Sequence, residues 1–270
     1  MSKYVLPLDQ LQAISHKVRT SSDPAEIESS LSLALGFYGL INYRYRYDRA
    51  LWRGVLCDSN TGHANIKRVG HPPPELSKNG RLNEAGHPLL YASVNQFTVL
   101  EEIGAKTGDH VHMIAYGFKP DEKLRVGIVG EITQVHRWGR SLSSESLSQE
   151  LNRILNGLEF EAGKSLVFTD ALLTSILRDR NASDSDYLRS RILARLLFAK
   201  LEGIEAMIYP SVAHEGAMNL AITPHAADSK LQIGTTFVVH VGQKYDYGLY
   251  DFKVVRRAKG QHGDGTIDWQ

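Results

Sequence analysis

Strand-like and helix-like stretches do not alternate regularly along this chain, and that irregularity constrains its fold more than any other feature. A doubly wound parallel sheet needs a helix after nearly every strand. Here two helical patterns come first, then short strands broken by turns, then several helical patterns in succession, then strands again. The expected class is α/β in composition (α+β), with a mixed, mostly antiparallel sheet flanked by helices.

Leu11, Ile14 and Val18 sit at helical spacing, predicting a helix over residues 9–18. Asp23 as cap, Pro24 at the first helical position and Gly36 at the end mark a second one. Residues 1–48 therefore read as a helical N-terminal extension and residues 49–258 as the main domain. In Asn42-Tyr43-Arg44-Tyr45-Arg46-Tyr47, alternation sends the tyrosines to one strand face and the arginines to the other. Such interleaving can bind single-stranded nucleic acid, but a half-buried strand with a charged outer face is the commoner use. His110 and His112 share a strand face with no third ligand at metal spacing, so no metal is expected. Further on, Ser146 with Gln149 and Asp170 each read as the start of a helix. Gly163-Lys164-Ser165 reads as a turn, and Asp184 opens what reads as the longest helix. Residues 259–270, rich in glycine, read as a loose tail.

Composition narrows the class. Hydrophobic residues make up 42% and charged residues 23%, ordinary values for a soluble globular protein. A net charge of +1 argues against a polyanion as the main partner. Cys57 is the only cysteine, so no internal disulfide forms, which fits a reducing cytosol. The opening MSKYVLPLDQ lacks the charged head and apolar run of a signal peptide, and no apolar run approaches a membrane span. A cytoplasmic protein without a membrane partner is expected.

The most informative stretch runs from Gly80 to Glu102. Glycines and Pro88 place Arg81 on a loop, Leu89 to Ala92 read as a short strand, and Ser93 with Gln96 matches a capping box. A helix of about ten residues should follow, stopped by Gly104. An arginine before the strand and a glutamate after it bring opposite charges toward one cleft. Periodicity does not choose between Glu101 and Glu102, since both flank the apolar face of Val99, Leu100 and Ile103. Arg53 lies in an otherwise apolar strand and needs a partner, either a bound anion or a carboxylate. There is no G-x-S-x-G elbow, no dinucleotide fingerprint after a strand and no H-E-x-x-H. Ser211 stands at the end of a buried strand after Pro210, with His214 three residues on.

In order, Arg81-Leu82-Asn83, Gly86-x-Pro88, Leu90-Tyr91-Ala92, Thr98-x-Leu100-x-Glu102 and Tyr209-Pro210-Ser211 resemble the RES domain family, named for its Arg, Glu and Ser. The resemblance spans about residues 50–240, and the spacing from Thr98 selects Glu102 over Glu101. Where many members carry Arg-Pro soon after the glutamate, this chain has Gly104-Ala105. The family is similar in fold to ADP-ribosyltransferases, and its members consume NAD. The resemblance implies a glycohydrolase or phosphorylase that cuts the nicotinamide–ribose bond, with NAD as substrate and no metal. A protein ADP-ribosyltransferase and a non-catalytic nucleotide-binding module stay open as alternatives. It also implies the toxin of a toxin–antitoxin pair, with a helix-turn-helix antitoxin as partner and nucleic acid reached only through it. Carried onto this chain, Arg81 would hold the pyrophosphate, with Arg53 assisting. Glu102 would stabilise the charge that develops on the ribose. Tyr91 would pack on the nicotinamide or ribose, and Ser211 would hydrogen-bond near the nicotinamide end.

Overall fold

A computed structural model describes residues 5–270; residues 1–4 of the extension lie outside the described residues. The chain opens with helices α1 (Leu8–Thr20) and α2 (Pro24–Gly36), the second capped by Asp23, whose side chain accepts from the Ala25 amide. Strands β1 (Ile41–Tyr45), β2 (Leu51–Cys57) and β3 (Leu90–Ser93) follow, then helix α3 (Gln96–Glu102) and strands β4 (His110–Phe118) and β5 (Leu124–Ile128). Four helices come next: α4 (Glu131–Trp138), α5 (Glu145–Gly157), α6 (Phe160–Leu177) and α7 (Leu188–Lys200). The chain ends with β6 (Ala206–Pro210), β7 (Met218–Ile222), α8 (Pro224–Lys230), β8 (Leu231–Lys244), β9 (Tyr250–Gln261) and β10 (Ile267–Trp269).

The strands form one open sheet in the order β1-β5-β6-β7-β3-β2-β4-β8-β9-β10. Only the β5–β6 pairing is parallel. The connection between those two strands carries α4 to α7, the helical crossover that a parallel pair requires. The expected mixed, mostly antiparallel α+β class is what folds. The sheet nearly parts in the middle, because β2 and β3 share a single pair, Trp52 with Ser93.

Apolar faces explain the layers. Leu11, Ile14, Val18, Ile27 and Leu31 join Leu173, Leu193 and Leu197 in one buried cluster, so α1 and α2 pack on α6 and α7. Arg189 reinforces the junction by donating to the carbonyls of Val18, Arg19 and Ser21. Residues 1–48 are more than a helical extension, however: β1 is the sheet's edge strand and pairs along its length with β5. Its tyrosines are half-buried and Asn42 and Arg44 are exposed, as alternation predicts. On the other half of the sheet, α3 packs through Val99 and Leu100 onto Val111, Met113 and Phe237. Gly54 permits this approach, since a Cβ there would lie 2.8 Å from Val99 Cγ1 and Met113 Sδ.

Several local expectations are corrected. Asn95, not Ser93, caps α3, accepting from the Phe97 amide at 2.8 Å; Ser93 is buried at the end of β3 and donates to the Met218 carbonyl. Helix α3 is accordingly shorter than expected, although Gly104 does adopt the left-handed conformation, φ 65°. Ser144 caps α5 in place of Ser146. Gly163-Lys164-Ser165 lies inside α6, the longest helix, and so does Asp170. That carboxylate caps a different helix, accepting from the Gly130 and Thr133 amides at the start of α4 and from the Tyr38 hydroxyl. Asp184 sits in a 3-10 turn, Ala182–Ser185, ahead of α7. The stretch 259–270 is not a loose tail. It completes β9 and forms β10, with Ile267 buried and its amide bonded to the Ala64 carbonyl.

Candidate active site

The site forms where β2 and β3 part. A cavity of about 320 Å³ opens there, lined by Trp52 and Arg53 of β2, Tyr91 of β3, Glu102 of α3, Arg81, Tyr187, and Tyr209 and Asn219 from β6 and β7.

Arg53 fills the gap in the ladder. Its Nε donates to the Val69 carbonyl at 2.6 Å and its Nη1 to the Tyr91 carbonyl at 3.1 Å. Burial pushes this guanidinium below its ordinary value, opposed by the nearby Tyr116 and Tyr91 phenols. Of the two partners expected for it, the carboxylate is absent: among the described residues Arg53 makes no ion pair. Its Nη2 makes no hydrogen bond among the described residues.

The Arg81 loop is organised by Asn83, which is buried and donates to the carbonyls of Lys78 and Glu84. The Tyr91 hydroxyl donates to Asn83 Oδ1 at 2.8 Å and accepts from the Leu82 amide at 2.9 Å. Tyr91 is thus committed to holding the loop through its hydroxyl, while its ring lines the cavity. Arg81 is not a solvated loop cation. Its Nη1 donates to the Leu177 and Asp179 carbonyls, both at 2.9 Å, where cations are favoured at the end of α6. No ion pair engages it among the described residues, and Nε and Nη2 remain as a side-on fork.

Glu102 is exposed as a residue, yet one of its oxygens is fixed. Oε1 accepts from Ser211 Oγ and Asn219 Nδ2, each at 2.6 Å, and from the Val212 amide at 3.3 Å. Oε2 has no hydrogen-bond partner among the described residues. Ser211 is buried and its Oγ in turn accepts from the His214 amide. The His214 ring pairs with Thr98 Oγ1 at 2.9 Å, so it does not form a Ser–His nucleophile pair. Glu101 faces elsewhere, bonded to the Tyr250 hydroxyl and to Lys244. Burial works to raise that carboxyl, but the two hydrogen bonds outweigh it and hold it below the usual range.

The structure therefore brings together Arg53, Arg81, Tyr91, Glu102 and Ser211. Sequence reasoning missed Asn219, which reaches Glu102 only because β7 pairs with β3. It also missed Tyr209 and Tyr187 as lining groups. Tyr209 is buried, its hydroxyl makes no hydrogen bond among the described residues, and burial pushes its phenol well above the usual value, with the charges of Tyr91 and Glu102 adding to this. It stays a neutral donor. His112 is enclosed by Thr236 and the His63 amide, and among the described residues no group of three or more His, Cys, Asp or Glu is placed to hold a metal. No helix among them is long and apolar enough to cross a membrane.

A family model described as the RES domain matches residues 132–242. That stretch of the chain is similar to the RES domain. The match takes in Ser211 and Asn219 and stops short of Arg53, Arg81, Tyr91 and Glu102, so the sequence resemblance reaches further toward the N-terminus than the model does. Two of those four touch the matched stretch directly: its Ser211 and Asn219 hold the Glu102 carboxylate, and its Leu177 and Asp179 carbonyls hold Arg81. No curated protein and no solved structure matches the chain. The RES family is linked to NAD-utilising enzymes.

Proposed function

We propose that this chain consumes NAD by cleaving its nicotinamide–ribose bond, with water or phosphate as acceptor. One observation carries the reading: a carboxylate fixed by Ser211 and Asn219 shares a cavity with two guanidinium groups that have no carboxylate partner among the described residues. An anionic substrate with a reacting centre that becomes cationic meets both needs.

The pyridinium is a good leaving group, and its departure as neutral nicotinamide leaves an oxocarbenium-like ribose, as in glycoside hydrolysis. The Arg81 fork, with Arg53 behind it, neutralises the pyrophosphate and orients the substrate. Glu102, held by Oε1, presents Oε2 to the developing positive charge without needing to reorganise. Ser211 acts through Glu102 by fixing its carboxylate, and the free Tyr209 hydroxyl supplies a donor inside the cavity. No metal is assigned a part. The family link supports a toxin role in the cytoplasm, where NAD turnover would need restraint by an antitoxin partner.

Incubation of the pure chain with NAD tests the reading. Free nicotinamide with unlabelled protein is expected. Label on protein would move the assignment to ADP-ribosyl transfer, and neither product would leave only a nucleotide-binding module.

A further inference from the structure

Tyr187 is the wrong residue for the place it occupies. It follows the 3-10 turn Ala182–Ser185 and immediately precedes α7. Asp186 and Tyr187 are consecutive and both left-handed, at φ 50°, ψ 38° and φ 58°, ψ 22°. Glycine or asparagine adopts that conformation with little strain, whereas a tyrosine does not. The position is also an N-cap, where Asn, Asp or Ser would satisfy a helix amide and tyrosine leaves it without a side-chain bond. One backbone bond and one side-chain bond hold the strain in place: the Tyr187 amide donates to the Ala182 carbonyl at 2.7 Å, and the Arg191 side chain donates through Nε to the Asp186 carbonyl at 2.8 Å.

The fold makes little use of the side chain so held. The ring belongs to none of the hydrophobic clusters, and its hydroxyl makes no hydrogen bond among the described residues. Among the described residues the ring's partner is Arg81, whose guanidinium carbon lies 5.6 Å from the ring centroid. Tyr187 also stands between two cavities. It lines the one that holds Glu102 and a second of about 330 Å³ walled by Arg19, Ser175, Asp179 and Arg189. Glu102 lines only the first.

We infer that Tyr187 is the platform for a flat heteroaromatic base, the adenine of the dinucleotide. This rests on the NAD reading above and places the far half of the substrate. Arg81 would bridge the pyrophosphate, and the base beyond it would stack on the tyrosine ring beside the second cavity. Backbone strain at this point is then the cost of keeping an aromatic face turned toward the ligand.

The test compares Tyr187→Asn and Tyr187→Phe with the parent chain, measuring NAD kinetics, inhibition by ADP-ribose and by nicotinamide, and thermal midpoint. Tyr187→Asn should raise the NAD KM by about 10-fold or more with kcat nearly unchanged, the loss expected from one base stack. Inhibition by ADP-ribose, which keeps the adenine half, should weaken by a similar factor while inhibition by nicotinamide stays the same. Tyr187→Phe, which keeps the ring, should recover most of the NAD affinity lost in Tyr187→Asn, and Tyr187→Asn should melt no lower, because Asn relieves the left-handed strain. An unchanged NAD KM in Tyr187→Asn, a fall confined to kcat, weakened inhibition by nicotinamide alone, or a Phe variant as impaired as the Asn one would each overturn the inference. A parent chain that releases no nicotinamide from NAD would instead overturn the function, and this inference with it.

Discussion

At the scale of single residues, function is concentrated in groups whose hydrogen bonds are half used. Among the described residues, Glu102 has one oxygen held and one without a partner, and Arg81 has Nη1 on the Leu177 and Asp179 carbonyls and a free fork. Glu102→Gln keeps the size of the side chain and removes the charge. Turnover of NAD should fall by ~100-fold or more, about 3 kcal/mol of transition-state stabilisation, with KM little changed. Glu101→Gln should leave the chemistry nearly intact but is not silent for the fold, since it weakens the bonds to Tyr250 and Lys244; thermal melting alongside kinetics separates the two effects. Arg81→Lys should raise the NAD KM by about 10-fold or more, because a single ammonium cannot reproduce the bidentate contact. Arg81 was legible as a cation on a loop, and Glu102, at a helix end, was separated from Glu101 only by the family resemblance. Asn219 and Tyr187 were not legible. The first is an ordinary polar residue in a strand until long-range pairing puts it beside Glu102, and nothing in a sequence announces a left-handed tyrosine.

At the scale of elements, helices marked by apolar periodicity or by a local cap were readable, as α1 shows for the first and α2, capped by Asp23, for the second. One failure has a long-range cause, which is that a side chain can cap a helix far away in sequence. Asp170 looks like a local N-cap, yet it lies inside α6 and binds the start of α4 across the helical layer. With that local reading went the expectation of a turn at Gly163, because α6 continues through it. The buried carboxylate accepts three hydrogen bonds on two oxygens, from Tyr38, Gly130 and Thr133. In Asp170→Asn the amide nitrogen must face one of those donors. Unfolding in urea should show a loss of about 3 kcal/mol or more, with α4 and the loop to Ser144 the first parts to lose hydrogen-exchange protection.

Across the whole molecule, the C-terminal segment and the sheet interior act together. His112 is fully buried between β2 and β8, beside Trp269 of β10, and its ring is bonded to Thr236. Burial, and secondarily the neighbouring His63, pushes its imidazole from 6.5 down to about 4. The unfolded chain then binds more protons than the folded one in that window. Stability from this group is complete above pH 6.5 and is lost as pH falls toward 4, on the order of 3 kcal/mol in all. Urea midpoints measured from pH 7 to pH 4 should show that decline, and His112→Gln should flatten it. The single pair joining β2 to β3 has a wider consequence. One half of the sheet holds β1, β5, β6, β7 and β3, the other β2, β4, β8, β9 and β10, and the polypeptide passes repeatedly from one to the other. The seam is laced, so neither side is a contiguous piece of chain. A fragment spanning 132–242 would contain β6 and β7 as neighbours but leave β8 without β4 and β9, and α6 and α7 without their cover. Expressed alone, it should show no cooperative melt by circular dichroism. A boundary in a sequence profile is not a cutting line in this molecule, and inheritance can shuffle such a domain only as the whole weave.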